Sequence, residues 1–351
     1  MSPLTCIPAV YELNYKGNDW QTHVFLSHQE ERCTNKNGSE WLVSSWYNLD
    51  SLVTSSYVQP PERRPGNAIL ASGKLVPVID LGGHDRAVTI KNILNSSQDY
   101  VFFQVINHGV SKDLVDSTQN IFKEFHAMPA DVKIHESPKD PNGSCKIYTS
   151  SARTTKDVVE YWKDTLSHPC QPSGEFKDYW PEKPVGYREV VGKYTQELRK
   201  LALQILELIC EGFDLNPEYF CGGLGENPVV LSHFYPPCLE PSLTLGTFMH
   251  KDSILITILF QEVGINALQV FKDGNGLIHM QNYSNGRLIA AKHLVITNSS
   301  NTRHNVVYFV NPTKESLIEP AKPLISLTSP VFRSMTFGEV WGNFFYQRLT
   351  I

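Results

Sequence analysis

The chain has 351 residues, 41% of them hydrophobic and 19% charged, an ordinary globular composition that suits one large domain or two small ones. A net charge of −5 with no long run of one sign argues against a nucleic-acid binder, which would carry a basic stripe. The seven cysteines are scattered and form no Cys-x-x-Cys pair, and no apolar stretch approaches the ~20 residues that span a bilayer, so zinc ribbons, thioredoxin chemistry and membrane insertion are all disfavoured.

Residues 1–41 are polar and mixed, without clear periodicity, and read as a poorly determined extension. They lack a basic end followed by an apolar run, so no secretory leader is expected; a cytoplasmic, reducing location with free thiols follows as the simplest expectation. Residues 57–67 are rich in proline and charge and read as an extended lead-in. Val76–Leu81 and Tyr100–Val105 read as strands, the second closed by the turn residues Asn107-His108-Gly109. Residues 111–127 carry a helical pattern in which Leu114, Val115, Ile121 and Phe122 share a face.

The clearest helix spans about 187–213. Leu198, Leu201, Ala202, Ile205, Leu208 and Ile209 recur at spacings of three and four, and Gly212 marks its expected end. From Val229 the pattern changes to short β-branched runs: 229–231, 254–260, 268–271, 288–296 and 306–310. Turn residues separate them at 273–276, 285–286 and 298–301, as in an antiparallel sandwich or barrel. The chain is therefore mixed first and all-β afterwards, an α+β layout.

His250-Lys251-Asp252 stands just before the run 254–260. Residues i and i+2 of a strand point to one side, so this tripeptide suits two ligands of a metal held by two imidazoles and a carboxylate on one face. Alone it is weak evidence. With 12 histidines and 36 acidic residues, about one such match is expected by chance, and His28-Gln29-Glu30 is another. A lone match is more often a solvated loop. The context strengthens it. His293 lies in a later strand candidate, and Arg303 follows the turn at 298–301, which places the two on neighbouring antiparallel strands. Singly, His293 reads as a hydrogen-bonded core histidine and Arg303 as a surface ion pair. Together, in this order, they read as a metal site with a guanidinium placed to grip the far carboxylate of a dicarboxylic acid.

From about Leu42 onward the chain resembles the plant 2-oxoglutarate- and iron(II)-dependent dioxygenases, of the hyoscyamine 6-hydroxylase-like and downy-mildew-resistance types. The matching stretches include VPVIDL (76–81), FFQVINHGV (102–110), YWKDTL (161–166), FYPPC (234–238), LITILFQ (255–261), LQVFKDG (268–274) and TNSSNTRHN (297–305). The resemblance implies a double-stranded β-helix (jelly roll) over residues 225–351, preceded by a mainly helical region over 42–224. It implies that His250, Asp252 and His293 bind iron(II), and that Arg303, Asn305 and Tyr235 bind 2-oxoglutarate. O2 would be the other co-substrate, with ascorbate as an optional accessory. The implied reaction splits 2-oxoglutarate to succinate and CO2 and hydroxylates a small specialised metabolite. A monomer without nucleic-acid or membrane partners is expected.

The sequence departs from that family at several places. Arg303-His304-Asn305 replaces Arg-x-Ser, His233 replaces the Asn of Asn-x-Tyr, Leu294 replaces an Arg, and Ala267 replaces a Gly. The segment between Asp252 and His293 is shorter by roughly fourteen residues, about two short strands, so part of the barrel wall is expected to be missing. Two alternative readings follow from these departures. One is a catalytically impaired pseudoenzyme, or truncated gene product of that family, acting at most as a binding protein. The other is an oxidase of the isopenicillin-synthase or aminocyclopropane-carboxylate type, which needs no 2-oxoglutarate.

Overall fold

The structure is a computed structural model. It describes residues 4–8, 42–48, 53–65, 76–99, 102–137, 145–150, 159–171, 173–220, 223–252, 254–262, 267–271, 279–288, 292–325 and 329–339. The turn expected at 273–276, the His28-Gln29-Glu30 match and residues 340–351 lie outside them.

Thirteen strands and seven helices are described. The strands are β1 (Leu4–Pro8), β2 (Val78–Asp80), β3 (Phe103–Ile106), β4 (Lys146–Thr149), β5 (Asp164–Pro169), β6 (Val229–Tyr235), β7 (Leu245–His250), β8 (Ile256–Gln261), β9 (Leu268–Phe271), β10 (Lys292–Ile296), β11 (Arg303–Val310), β12 (Leu317–Ile318) and β13 (Met335–Thr336). The helices are α1 (Val43–Trp46), α2 (Arg86–Asp99), α3 (Lys112–Ala127), α4 (Ala130–Glu136), α5 (Tyr187–Gly212), α6 (His279–Tyr283) and α7 (Lys322–Ile325). A main sheet of eight strands runs in the order β2-β3-β1-β8-β11-β6-β5-β4, and a smaller sheet in the order β7-β10-β9. All pairings are antiparallel except β2 with β3. The two sheets are the faces of a double-stranded β-helix, the jelly roll that the sequence resemblance implies.

Helix α5 supports the main sheet from outside. Its apolar stripe, Leu198, Leu201, Ala202, Ile205, Leu208 and Ile209, is fully buried and joins Ile258 of β8 and Tyr308 of β11 in one core cluster. Gly212 does close α5, but for a packing reason. A Cβ there would lie 2.6 Å from Leu94 Cδ1 and 2.7 Å from Ile90 Cγ2 of α2, so a larger residue would have to displace those side chains, and glycine lets the two helices pack closely. The left-handed residue that turns the chain is Asp214, at φ 55°. In α3 the buried stripe is Val115, Ile121, Phe122 and Phe125, with Leu114 only partly covered, and Ser111 caps the helix by accepting from the Leu114 N–H.

Two sequence expectations change. Strands β10 and β11 are not neighbours: the turn after Ile296 carries the chain from the smaller sheet to the main one, where β11 pairs with β6 and β8. His293 and Arg303 therefore belong to facing sheets. In addition, the extension whose pattern the sequence leaves poorly determined contributes a strand. Leu4–Pro8 lies between β3 and β8 in the interior of the main sheet.

Candidate metal centre

Strand β7 ends on His250, and β10 places His293 directly opposite it in the antiparallel register. The two rings lie 4.2 Å apart between centroids. Asp252 follows just beyond the end of β7, and its Oδ1 lies 3.5 Å from His250 Nε2 and 3.7 Å from His293 Nε2. One donor atom from each residue falls within 4.8 Å of the others. Ligand bonds of about 2.1 Å at right angles put donors about 3 Å apart, so this cradle needs only a slight contraction to hold an ion on one face.

The chemistry of the donors fits the same role. His250 Nδ1 is 2.8 Å from the Phe248 carbonyl. A carbonyl can only accept, so Nδ1 carries the proton and Nε2 offers its lone pair toward Asp252 and His293. Asp252 divides its two oxygens: Oδ1 faces the imidazoles, and Oδ2 accepts from the Thr257 hydroxyl at 2.7 Å. Burial alone would push this carboxyl up, but the His293 and His250 imidazoles and the Thr257 hydroxyl outweigh it and hold it down to about 2. A buried carboxylate that stays ionised beside two neutral-capable imidazoles is the ligand set for a divalent iron.

A second cluster faces the first. Arg303 heads β11 opposite Tyr235 at the end of β6. Its guanidinium is 1% exposed and lies 5.0 Å from the centroid of the Tyr235 ring. Nη2 donates to Gln261 Oε1 at 3.1 Å. With its amide oxygen turned toward the guanidinium, Asn305 accepts from Nη1 at 3.0 Å and Nη2 at 3.2 Å. Nε has no hydrogen-bond partner. Burial disfavours the charged guanidinium, and Tyr235 and the Glu262 carboxylate partly offset that. The Tyr235 hydroxyl lies 3.3 Å from Thr247 Oγ1 on β7, three residues before His250, and Lys163 Nζ donates to that same Thr247 oxygen at 3.0 Å. His233 is neutral: burial, with Lys163 and Arg303 nearby, holds its imidazole well below its usual range, while Thr165 Oγ1 lies 2.8 Å from its Nδ1.

The structure thus brings His250, Asp252 and His293 together, and gathers Arg303, Asn305 and Tyr235 into a second cluster linked to β7 through Thr247. Sequence reasoning missed Thr257, Gln261, Thr247 and Lys163. Thr257 had a signal, being the one polar residue in Ile254–Phe260.

Comparisons with known proteins agree with this geometry. Residues 76–185 match the family model described as the N-terminal region of non-haem dioxygenases in morphine synthesis, and residues 226–312 match the 2OG-Fe(II) oxygenase superfamily. The chain is 33% identical to hyoscyamine 6-dioxygenase of Hyoscyamus niger, over 85% of this chain and 92% of that protein. It is 32% identical to protein DOWNY MILDEW RESISTANCE 6 of Arabidopsis thaliana, over 88% and 95%. Among solved structures it is similar to JOX2 in complex with 2OG, Fe and JA, with a TM-score of 0.74 and 28% identity, over 84% of this chain and 90% of that one. This chain belongs to the 2-oxoglutarate- and iron(II)-dependent oxygenases, and is a dioxygenase whose cofactor is iron(II) and whose co-substrate is 2-oxoglutarate.

Proposed function

We propose that His250, Asp252 and His293 are the iron ligands, that Arg303, with Tyr235 and Asn305, anchors 2-oxoglutarate, and that the enzyme hydroxylates a small specialised metabolite. One observation carries this reading: a fully buried guanidinium whose hydrogen-bond partners are all neutral, joined through Tyr235 and Thr247 to the strand that ends on His250. A buried cation is costly unless an anion reaches it. A dicarboxylate supplies one, since its far carboxylate can accept from Arg303 while its other end points to the triad.

When bound, the iron supplies oxygen activation, coupled to breakdown of 2-oxoglutarate to succinate and CO2. The residues of this chain orient and exclude. Phe248 fixes the His250 tautomer, and Thr257 fixes the carboxylate. Relatives support the substrate class: besides hyoscyamine 6-dioxygenase, the chain is 32% identical to flavanone 3-dioxygenase 2 of Oryza sativa subsp. japonica, and both are named for small molecules. The buried thiols Cys145, Cys170, Cys210 and Cys238 support a reducing cytoplasm as the site of action.

The test is an anaerobic iron(II) titration followed by addition of 2-oxoglutarate. A visible charge-transfer band is expected. Folded, iron-loaded protein that shows no band would overturn the assignment and favour the impaired relative or an oxidase independent of 2-oxoglutarate.

A further inference from the structure

Residues Leu4–Pro8 lie outside both regions matched by the family models, which begin at residues 76 and 226. Yet β1 occupies an interior position of the main sheet, between β3 and β8. Its register is antiparallel to both: Thr5 is opposite Leu259 and Ile7 opposite Thr257 on one side, and Leu4 is opposite Val105 and Cys6 opposite Phe103 on the other. Among the described strands, β8 without β1 keeps only β11 as a partner, and β3 keeps only β2.

Strand β8 is poorly suited to be an edge. Ile256, Ile258, Leu259 and Phe260 are buried, and Ile256–Gln261 contains no charged residue or proline to blunt pairing. Apolar strands with open backbone groups accept another strand. Among the described residues, the strands of the shortened segment are β9 and, at its end, β10, and both belong to the smaller sheet.

We propose that β3 and β8 form a strand-accepting slot, and that the chain's own N-terminal segment Leu4–Pro8 is its ligand, completing the barrel in cis. The consequence reaches the metal centre. Ile7 pairs with Thr257, and Thr257 holds Asp252 Oδ2 at 2.7 Å. Seating β1 fixes the backbone of β8 at the residue that orients the carboxylate, which makes the N-terminal segment a positioning element for that ligand. This link rests on the iron reading above; the strand pairing itself does not.

Amide hydrogen exchange on the metal-free full chain, and on a variant lacking residues 2–8, reads the slot directly. Amides of 103–106 and 256–261 are expected to exchange slowly in the full chain and at least about tenfold faster in the truncated one. A synthetic peptide of residues 1–10 should restore protection in trans. Iron(II) affinity should fall about tenfold on truncation and recover with the peptide. Cys6→Pro, which strips one N–H from the ladder, should reproduce the effect in part, and serves if the truncated chain is insoluble. Fast exchange of 256–261 in the full chain overturns the proposal, as does a truncated chain with unchanged protection and iron affinity. A dimer that loses protection on dilution overturns seating in cis in favour of a second copy's segment. Full-chain protection without any iron binding supports the strand and removes the iron reading alone.

Discussion

Thr257 Oγ1 donates to Asp252 Oδ2 at 2.7 Å from within β8, so one carboxylate oxygen is tied to the main sheet while the other faces His250 and His293. That bond fixes the carboxylate rotamer before any ion arrives. Outer-shell partners of this kind are typically worth about 10–100-fold in metal affinity. Thr257→Val keeps the branched shape and removes the hydroxyl, and is expected to weaken iron(II) binding by about tenfold or more in an anaerobic titration. Thr257→Ser should retain most of the affinity. Equal affinities for the Val and Ser variants would show that the hydroxyl does not orient the ligand.

Arg303 offers a planar fork that lysine cannot reproduce. Charge-assisted hydrogen bonds contribute about 1.5–3 kcal/mol each, so losing the paired geometry should weaken 2-oxoglutarate by roughly 10–100-fold. Arg303→Lys is expected to show that loss, and Arg303→Gln a larger one, in titrations of the 2-oxoglutarate band. Iron affinity should stay within about threefold, because Arg303 is not among the three donors. A Lys variant that titrates like the parent would place the carboxylate elsewhere.

The sequence made part of this site legible because ligand chemistry restricts residue type locally. His250 and Asp252 are two residues apart, and Arg303 closes a turn whose geometry Asn298 sets by accepting from the Ser300 and Asn301 N–H groups. The rest depends on register, which is a long-range property. Nothing near His293 states that it faces His250. Strand β5 shows the same limit. Asp164, Ser167 and His168 are polar yet buried, so no alternation marks the strand. They are satisfied from afar: Asp164 accepts from the Val43 and Ser44 N–H groups at 2.8 and 2.9 Å, and His168 meets the Tyr187 hydroxyl at 2.8 Å. β1 was hidden for the same reason, since five residues in a polar stretch gain strand identity only from β3 and β8.

Burial lowers the His168 pKa from 6.5 to about 3, against a smaller opposing effect of the Pro169 carbonyl. The neutral ring suits its partners: Nδ1–H can donate to Pro169 O while Nε2 accepts from the Tyr187 hydroxyl. Between those two pKa values the unfolded chain takes up a proton that the folded one refuses, so stability rises with pH through this window and is lost as pH falls below about 6.5. His126 and His233 are likewise held well below the usual range by burial, and His304 at about 4. Urea unfolding of metal-free protein should therefore give a lower free energy at pH 5.5 than at pH 7.5, by about 1 kcal/mol for each such histidine. His168→Gln should flatten this dependence by close to one histidine's share. An unchanged slope in the variant would mean that His168 titrates normally.

Gly246 marks a close approach of the two sheets. A Cβ there would lie 2.8 Å from Tyr235 Cδ1 and Cε1 and 3.1 Å from Val295 Cγ1. The Tyr235 ring cannot retreat freely, because Arg303 stacks on it and its hydroxyl lies 3.3 Å from Thr247 Oγ1. Gly246→Ala must therefore shift the ring and, with it, the guanidinium. Overpacking of this kind costs about 1–3 kcal/mol, which should appear as a lower Tm. The more specific expectation is a split between ligands: 2-oxoglutarate affinity should fall by about tenfold, while iron affinity, set by His250, Asp252 and His293, moves by less than about threefold. Parallel titrations of iron and then 2-oxoglutarate measure both. If the two affinities fall together, Gly246 supports the whole barrel mouth; if only the second falls, the close approach of β7 to Tyr235 is what sets the co-substrate side of the site.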